Sequence, residues 1–219
     1  MNTPTQNIDA LTGTFAKEMF ETDFQSAIEL AESKDQQLSL VCLDCDRFLD
    51  LNQNHGRDVG DQVLRMIGEL LLTRTSESVS VYRYGGDEFY LIFPDTLREE
   101  ALLTMEKIRT EIAQPRRFDG SELEVQISIG ISSYPIDGSE SGELQRKADQ
   151  ALYRAKKDGR GRVLLAYDEK MVPKTVHFTE TQLERLSALA EERSLTEARL
   201  LREALDDLIL KYTVNKIEE

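Results

Sequence analysis

Two short acidic stretches carry the chemistry this chain could do. In "RYGGDEF", residues 83–89, Asp87 and Glu88 stand side by side between two glycines and an apolar run. In "CLDCD", residues 42–46, Asp44 and Asp46 close another apolar run. Taken singly, each has a plain reading: a carboxylate after a strand caps a turn, and Gly-Gly-Asp makes a tight hairpin. Together they suggest more. If the two apolar runs are neighbouring strands, Asp44 and Glu88 approach each other. Two unpaired carboxylates cost free energy unless a cation lies between them. Oxygen ligands with room for waters suit Mg²⁺. Glycines let a bulky anionic ligand come close to the backbone. A metal beside accessible backbone suits phosphoryl transfer, which asks chiefly for positioning and charge neutralisation.

The same stretch holds both cysteines, Cys42 and Cys45, at CxxC spacing. Residues three apart on a strand point to opposite faces. No second CxxC completes a zinc site. Two buried structural thiols are expected.

These residues need a scaffold. Phe20, Phe24, Ala27, Ile28 and Ala31 recur at helical spacing within 14–33. A strand is expected at 38–44, then a helix at 58–72 with Val59, Val63, Ile67 and Leu71 on one face. Strands at 79–84 and 88–93 flank the glycines, and a helix at 97–113 ends near Pro115. "ELEVQISIGISS" alternates Leu123, Val125, Ile127, Ile129 and Ile131, the pattern of a half-buried strand. A helix at 143–158 and a short strand in "RVLLAY" close the region. The order strand, helix, strand, strand, helix, strand is that of a ferredoxin-like sheet, an α/β (α+β) fold in layers. After Tyr167 the polar "DEKMVPK" marks a boundary near residue 170, giving regions 1–169 and 170–219.

The 219 residues suit one medium domain with a small appendage, and 40% hydrophobic with 31% charged suits a globular protein. No apolar run approaches the roughly 20 residues that span a bilayer. The N-terminal "MNTPTQNIDA" lacks the form of a signal peptide, which points to the cytoplasm. A net charge of −14 argues against broad attraction to nucleic acid or anionic membrane.

Several ordered motifs now resemble those of one family, the GGDEF domains, which are diguanylate cyclases. "DALTG" (9–13), "DCDRF" (44–48), "NQNHGRDVGD" (52–61), "RYGGDEF" (83–89), "SIG" (128–130) and "ADQALYRAKKDGRGRV" (148–163) follow the family's motifs in order. The resemblance implies that two GTP molecules are joined into cyclic di-GMP, one GTP on each of two domains meeting face to face. It implies Mg²⁺ or Mn²⁺ held by Asp44, the Cys45 carbonyl and Glu88. Asp87 matches the acid that takes the ribose 3′-hydroxyl proton and helps with a second metal. Asn52 and Asp61 would read the guanine edge. The backbone amides of Arg47 and Phe48 would touch phosphates, as would Lys156 and Arg160, which lie four apart on one helical face. Without an acidic metal site elsewhere in the chain, Lys156 and Arg160 would read as a solvated basic face.

Some positions depart from the pattern. Leu49 stands where the family usually has Lys, Arg57 where it has His, and Gln53 where it has Asp. The family's inhibitory product site, R-x-x-D, falls on Ser76 and Val79, so that site is expected to be absent. Only about eight residues precede "DALTG", so no input domain is expected before it.

From 174 to 212, Val176 and Phe178 alternate with Thr175, His177 and Thr179. Leu183, Leu186 and Leu189 form one helical stripe, and Leu200, Leu201, Ala204, Leu205, Leu208 and Ile209 a second. Thr196 reads as an N-cap between them. One strand and two helices cannot bury such faces alone, so a partner copy is expected. This segment resembles a ribbon-helix-helix module, in which two chains pair strands and interlock helices. That resemblance implies a homodimer, and a DNA contact through Lys174, Thr175, His177 and Thr179. Against DNA, residues 174–219 hold 7 basic and 10 acidic residues. Three functional readings follow: a dimeric diguanylate cyclase, with or without DNA targeting; a catalytically weak transcription regulator that senses GTP or cyclic di-GMP; or a pure dimer scaffold.

Overall fold

The computed structural model describes residues 7–167 and 175–193, together with 196–198, 200, 201, 204, 205, 208 and 211. The chain divides into two compact units, Met1–Glu169 and Lys170–Glu219.

The first unit runs β1 (Phe15–Ala16), α1 (Lys17–Lys34), β2 (Leu38–Cys45), α2 (Phe48–His55), α3 (Arg57–Arg74), β3 (Ser80–Arg83), β4 (Glu88–Pro94), α4 (Arg98–Ile112), β5 (Arg116–Phe118), β6 (Ser121–Leu123), β7 (Ile127–Tyr134), α5 (Ser141–Lys157) and β8 (Val163–Leu165). Six strands form one sheet in the order β1-β3-β4-β2-β7-β8, and β5 pairs with β6 apart from it. The central four, β3-β4-β2-β7, are mutually antiparallel and carry the ferredoxin-like order. Parallel strands β1 and β8 extend the two edges.

Helices cover both faces. On one, α1 offers Phe20, Phe24, Ile28 and Ala31, one turn apart, to Leu40, Cys42, Tyr82 and Tyr90, with α5 beside it. On the other, Val63, Ile67 and Leu71 of α3 and Met105 and Ile108 of α4 pack against Val41, Leu43, Phe89 and Leu91. β2 is therefore buried at every residue, as an unbroken apolar run requires. Cys42 belongs to the first layer and Cys45 to the second, and both thiols are free.

Three features differ from the sequence expectation. The strand expected from "ELEVQISIGISS" is not half-exposed: β7 is buried from Ile127 to Ser133. Its polar members are buried because helices lie on both sides. Ser132 Oγ donates to the Leu144 carbonyl and Ser133 Oγ to the Leu38 carbonyl. The first residues of that pattern form β6 instead, in a separate hairpin. Residues 48–55 are helical, although α2 has no fully buried side chain to reveal it in the pattern.

In the second unit, α6 spans Glu180–Arg193. A capping box opens it: Gln182 N–H donates to Thr179 Oγ1, and Thr179 N–H to Gln182 Oε1. The described residues from 197 to 211 are helical. Residues 175–179 are exposed and belong to no strand, so the expected ribbon strand is not formed within one chain. An isolated strand has no ladder partner, and among the described residues none is offered. Val176, Phe178, Leu183, Leu189, Leu205 and Leu208 are all more than 40% exposed. No helix among the described residues is long and apolar enough to cross a membrane.

Candidate active site

The register of two central strands places the acids. In the β2–β4 ladder Asp44 lies directly opposite Glu88. Pairing continues one residue further, where Cys45 N–H donates to the Asp87 carbonyl at 3.2 Å. The turn between β3 and β4 is closed by Tyr84 N–H and Gly85 N–H, which both donate to the Glu88 carbonyl, at 2.9 and 3.3 Å. Neither Gly85 nor Gly86 has a left-handed φ, so the backbone alone does not demand glycine here. A Cβ on Gly86 would meet nothing within 4 Å. A Cβ on Gly85 would stand 3.1 Å from Glu88 Oε2, so the main chain open beside the acids is that of Gly86, which is the room a bulky ligand needs.

The electrostatics follow from burial. Asp44 is only 8% exposed, and desolvation pushes its carboxyl up to about 6. Lys156 pulls the other way through a 2.7 Å contact from Nζ to Oδ2, while Asp87 and Asp46 reinforce the rise. Burial likewise raises Asp87 above the usual carboxylate range, and it raises the Cys45 thiol far out of the reactive range. Among the described residues no three of His, Cys, Asp and Glu converge on one point. Lys156 occupies the Asp44 carboxylate. Even so, the donors suit a hard divalent cation. Asp44 is a desolvated carboxylate, Glu88 faces it across the ladder, Asp87 stands beside them, and charge compensation is incomplete.

α5 brings Lys156 to this place. Tyr90, two residues along β4 from Glu88 and on the same face, donates to Asp149 of α5 at 2.5 Å. Gly130 of β7 lets α5 approach, since a Cβ there would lie 2.1 Å from the Ala148 carbonyl oxygen. Arg160 does not share a helical face with Lys156 as expected: α5 ends at Lys157, and Arg160 lies in the turn after it, its Nε 3.9 Å from Asp46 Oδ1. Arg47 precedes α2 in a left-handed conformation, and no side chain caps that helix, so the Arg47 and Phe48 amides stand at its start.

The guanine candidates lie on α2 and α3. Asn52 Oδ1 is buried without a hydrogen-bond partner. A Cβ at Gly60, next to Asp61, would lie 1.9 Å from that oxygen. Gly60 therefore gives the Asn52 amide its place, and Asp61 follows on the same helix. An orphaned buried acceptor costs free energy and marks a group shaped for something else. Of the tail residues, Thr175 and His177 are exposed, and Thr179 is exposed while capping α6. Lys174 lies outside the described residues.

For two participants the sequence showed the residue but not the partners it would find. Asp9 of the first motif pairs with Arg83 at 3.2 Å and accepts from Thr12 N–H and Oγ1. Arg83 in turn donates to the Gly86 carbonyl at 2.7 and 3.1 Å. The opening segment thus clamps the glycine turn. Nothing in the spacing of residues 74 positions apart signals this. Asp46 is the other.

Residues 6–162 match the family described as diguanylate cyclase, GGDEF domain, and residues 170–213 match the ribbon-helix-helix domain family. Diguanylate cyclase A of Treponema denticola is 34% identical over 140 residues, 64% of this chain and 38% of that protein. Diguanylate cyclase DosC of Escherichia coli is 31% identical over 159 residues, 72% of this chain and 35% of that protein. The chain thus spans well under half the length of these relatives. Among solved structures, the GGDEF domain of DgcB from Caulobacter crescentus, in complex with c-di-GMP, superposes with a TM-score of 0.70 at 29% identity, covering 77% of this chain and 97% of that one. The active GGEEF domain of a diguanylate cyclase from Vibrio cholerae gives 0.67 at 30% identity, covering 70% and 98%. The matched span contains the Asp44–Glu88 ladder pair, the open glycine turn and the Lys156 helix alike, and by it the chain belongs to the GGDEF domain family of diguanylate cyclases.

Proposed function

We propose that residues 1–169 form a diguanylate cyclase domain that condenses two GTP into cyclic di-GMP and two pyrophosphates. Residues 170–219 are then a linker and a ribbon-helix-helix module that makes the chain a homodimer. The observation that carries the reading is the Asp44–Glu88 pair beside open glycine backbone. Asp44, Glu88 and the Cys45 carbonyl would hold Mg²⁺ or Mn²⁺, with Asp87 beside them. That ion would supply charge neutralisation at the phosphates.

The chain's own residues do the rest. Asp61 accepts from the N1 and N2 hydrogens of the guanine edge and the Asn52 amide reads the same base, a pattern adenine cannot match. The Arg47 and Phe48 amides, Lys156 and Arg160 neutralise the triphosphate; Lys156 exchanges its contact with Asp44 for a phosphate. Asp87, raised by burial toward the pH at which it works, takes the proton of the 3′-hydroxyl. The freed 3′-oxygen of one GTP forms a bond to the α-phosphorus of the other. The bond from that phosphorus to pyrophosphate breaks, and the second half repeats the step in the other sense. The cytoplasm, where GTP is abundant, is the setting this chemistry requires.

Purified chain with GTP and Mg²⁺, its products resolved by chromatography, tests the reading. Cyclic di-GMP and pyrophosphate in a 1:2 ratio are expected, with ATP neither consumed nor inhibitory. Bound GTP without product would favour the second reading, a nucleotide-sensing transcription regulator. Leu49 gives that reading its footing: 63% exposed, it supplies no cation where the family usually has Lys. The ribbon-helix-helix match supports a DNA contact through Lys174, Thr175, His177 and Thr179 in either case. A gel shift with and without GTP separates targeting from sensing.

A further inference from the structure

Asp44 and Asp46 are two apart, so a continuing strand would set them on one face as a pair of ligands. The structure separates them. β2 ends at Cys45, and Arg47 turns the chain with φ 56°. The Asp46 side chain is only 3% exposed, and its acceptors are already engaged. Ser128 Oγ lies 2.8 and 3.0 Å from its two oxygens. Gly161 N–H donates to Oδ2 at 3.0 Å, and Arg160 Nε stands 3.9 Å from Oδ1. A carboxylate enclosed in this way has no face left for a metal.

What it holds is an unusual turn. Gly159, Arg160 and Gly161 take φ values of 109°, 64° and 58°, three successive residues in the left-handed half of conformational space. One of them is not glycine, so the conformation persists only because its surroundings fix it. Arg160 N–H donates to the Ala155 carbonyl and ties the turn to α5. Ile129 N–H donates to the Arg162 carbonyl and ties the far side to β7. Asp46 supplies the side-chain anchor at the middle of the turn, while the Arg160 side chain remains 44% exposed.

We propose that Asp46 is a positioning residue: its buried carboxylate fixes the 158–162 turn and so aims the Arg160 guanidinium at the triphosphate. The proposal rests on the reading of Arg160 as a phosphate contact. It acts on the β- and γ-phosphates and not on the base, which Asn52 and Asp61 hold elsewhere.

Binding of 3′-deoxy-GTP, which lacks the attacking hydroxyl, is compared with binding of GMP, both with Mg²⁺, by calorimetry. Asp46→Asn keeps the shape and removes the charge. It should weaken 3′-deoxy-GTP about tenfold, the worth of one charge-assisted hydrogen bond, and leave GMP within about twofold. Ser128→Ala should act in the same direction by about threefold, and it decides the matter should Asp46→Asn not fold. In an Arg160→Ala background the effect of either substitution should vanish, because Asp46 acts through Arg160. Equal losses for GMP and 3′-deoxy-GTP, or losses that add to that of Arg160→Ala, overturn the proposal. Wild-type turnover of GTP is measured alongside. If it yields no cyclic di-GMP the parent reading falls and takes this one with it; if it does, additive losses remove only the role of Asp46.

Discussion

A carboxylate buried to 8% exposure and facing Glu88 across a strand pair has few ways to lower its energy. Lys156 helps Asp44, but burial outweighs it and the group titrates at about 6. In the unfolded chain it titrates near 3.8. Between these values the folded form holds more proton than the unfolded form, so stability falls as pH rises through the window, and the full cost persists above it. Asp44→Asn removes that cost. In chelator, the variant should be more stable than wild type at pH 7.5 by on the order of 2 kcal/mol, and the gap should close near pH 4. Denaturant unfolding at the two pH values measures this. A variant less stable at pH 7.5 would show that Lys156 outweighs burial. Glu88 is exposed, so its removal bears on chemistry and not on folding. Glu88→Gln should lower cyclic di-GMP formation by at least about a hundredfold, since a missing metal ligand forfeits several kcal/mol of charge stabilisation. Its unfolding midpoint should match wild type. Turnover near the wild-type rate would remove Glu88 from the metal site.

At the scale of elements, the site depends on how closely α5 lies on the sheet. Gly130 sets that distance. A methyl there would sit 2.1 Å from the Ala148 carbonyl oxygen and 2.3 Å from Leu152 N, both backbone atoms that cannot move aside. Gly130→Ala should therefore cost about 3 kcal/mol and lift Lys156 away from Asp44, lowering stability and GTP affinity together. Stability within about 0.5 kcal/mol of wild type, where neutral substitutions fall, would mean that α5 has slack. The sheet was legible because its strands are strong apolar runs between turn residues, and the pairing of Asp44 with Glu88 followed from the order of elements. The β5–β6 hairpin and α2 were not legible. Each is short, and neither shows a buried stripe that would separate it from loop. The different fates of Asp44 and Asp46 were hidden as well, because alternation assigns both to one face and only the end of β2 at Cys45 parts them. The Asp9–Arg83–Gly86 clamp joins segments that only the folded topology brings near.

At the scale of the molecule, two units with different needs share one chain. The cyclase reading requires a second copy, because each GTP supplies the hydroxyl that attacks the other. The proposed ribbon-helix-helix unit would use one too, since Leu183 and Leu189 of α6 are exposed, as are Leu205 and Leu208. On the proposed reading, a dimer built by that unit would exist before any substrate arrives. A linker of about ten residues at 165–174 would then turn the meeting of two cyclase domains into a local event, at an effective concentration on the order of millimolar where it can span the distance. The same tether restrains the domains where it cannot, and DNA or another ligand would then relieve the restraint. Deleting residues 170–219 should give a monomer whose rate per molecule rises with protein concentration. The full-length chain should sediment as a dimer with a flat rate per molecule. Sedimentation and initial-rate series over about a hundredfold range of concentration, wide enough to straddle a micromolar dissociation constant, make the comparison. A truncated chain that stays dimeric, or two forms with the same concentration dependence, would show that the apolar stripes of the second unit are not what brings the cyclase domains together.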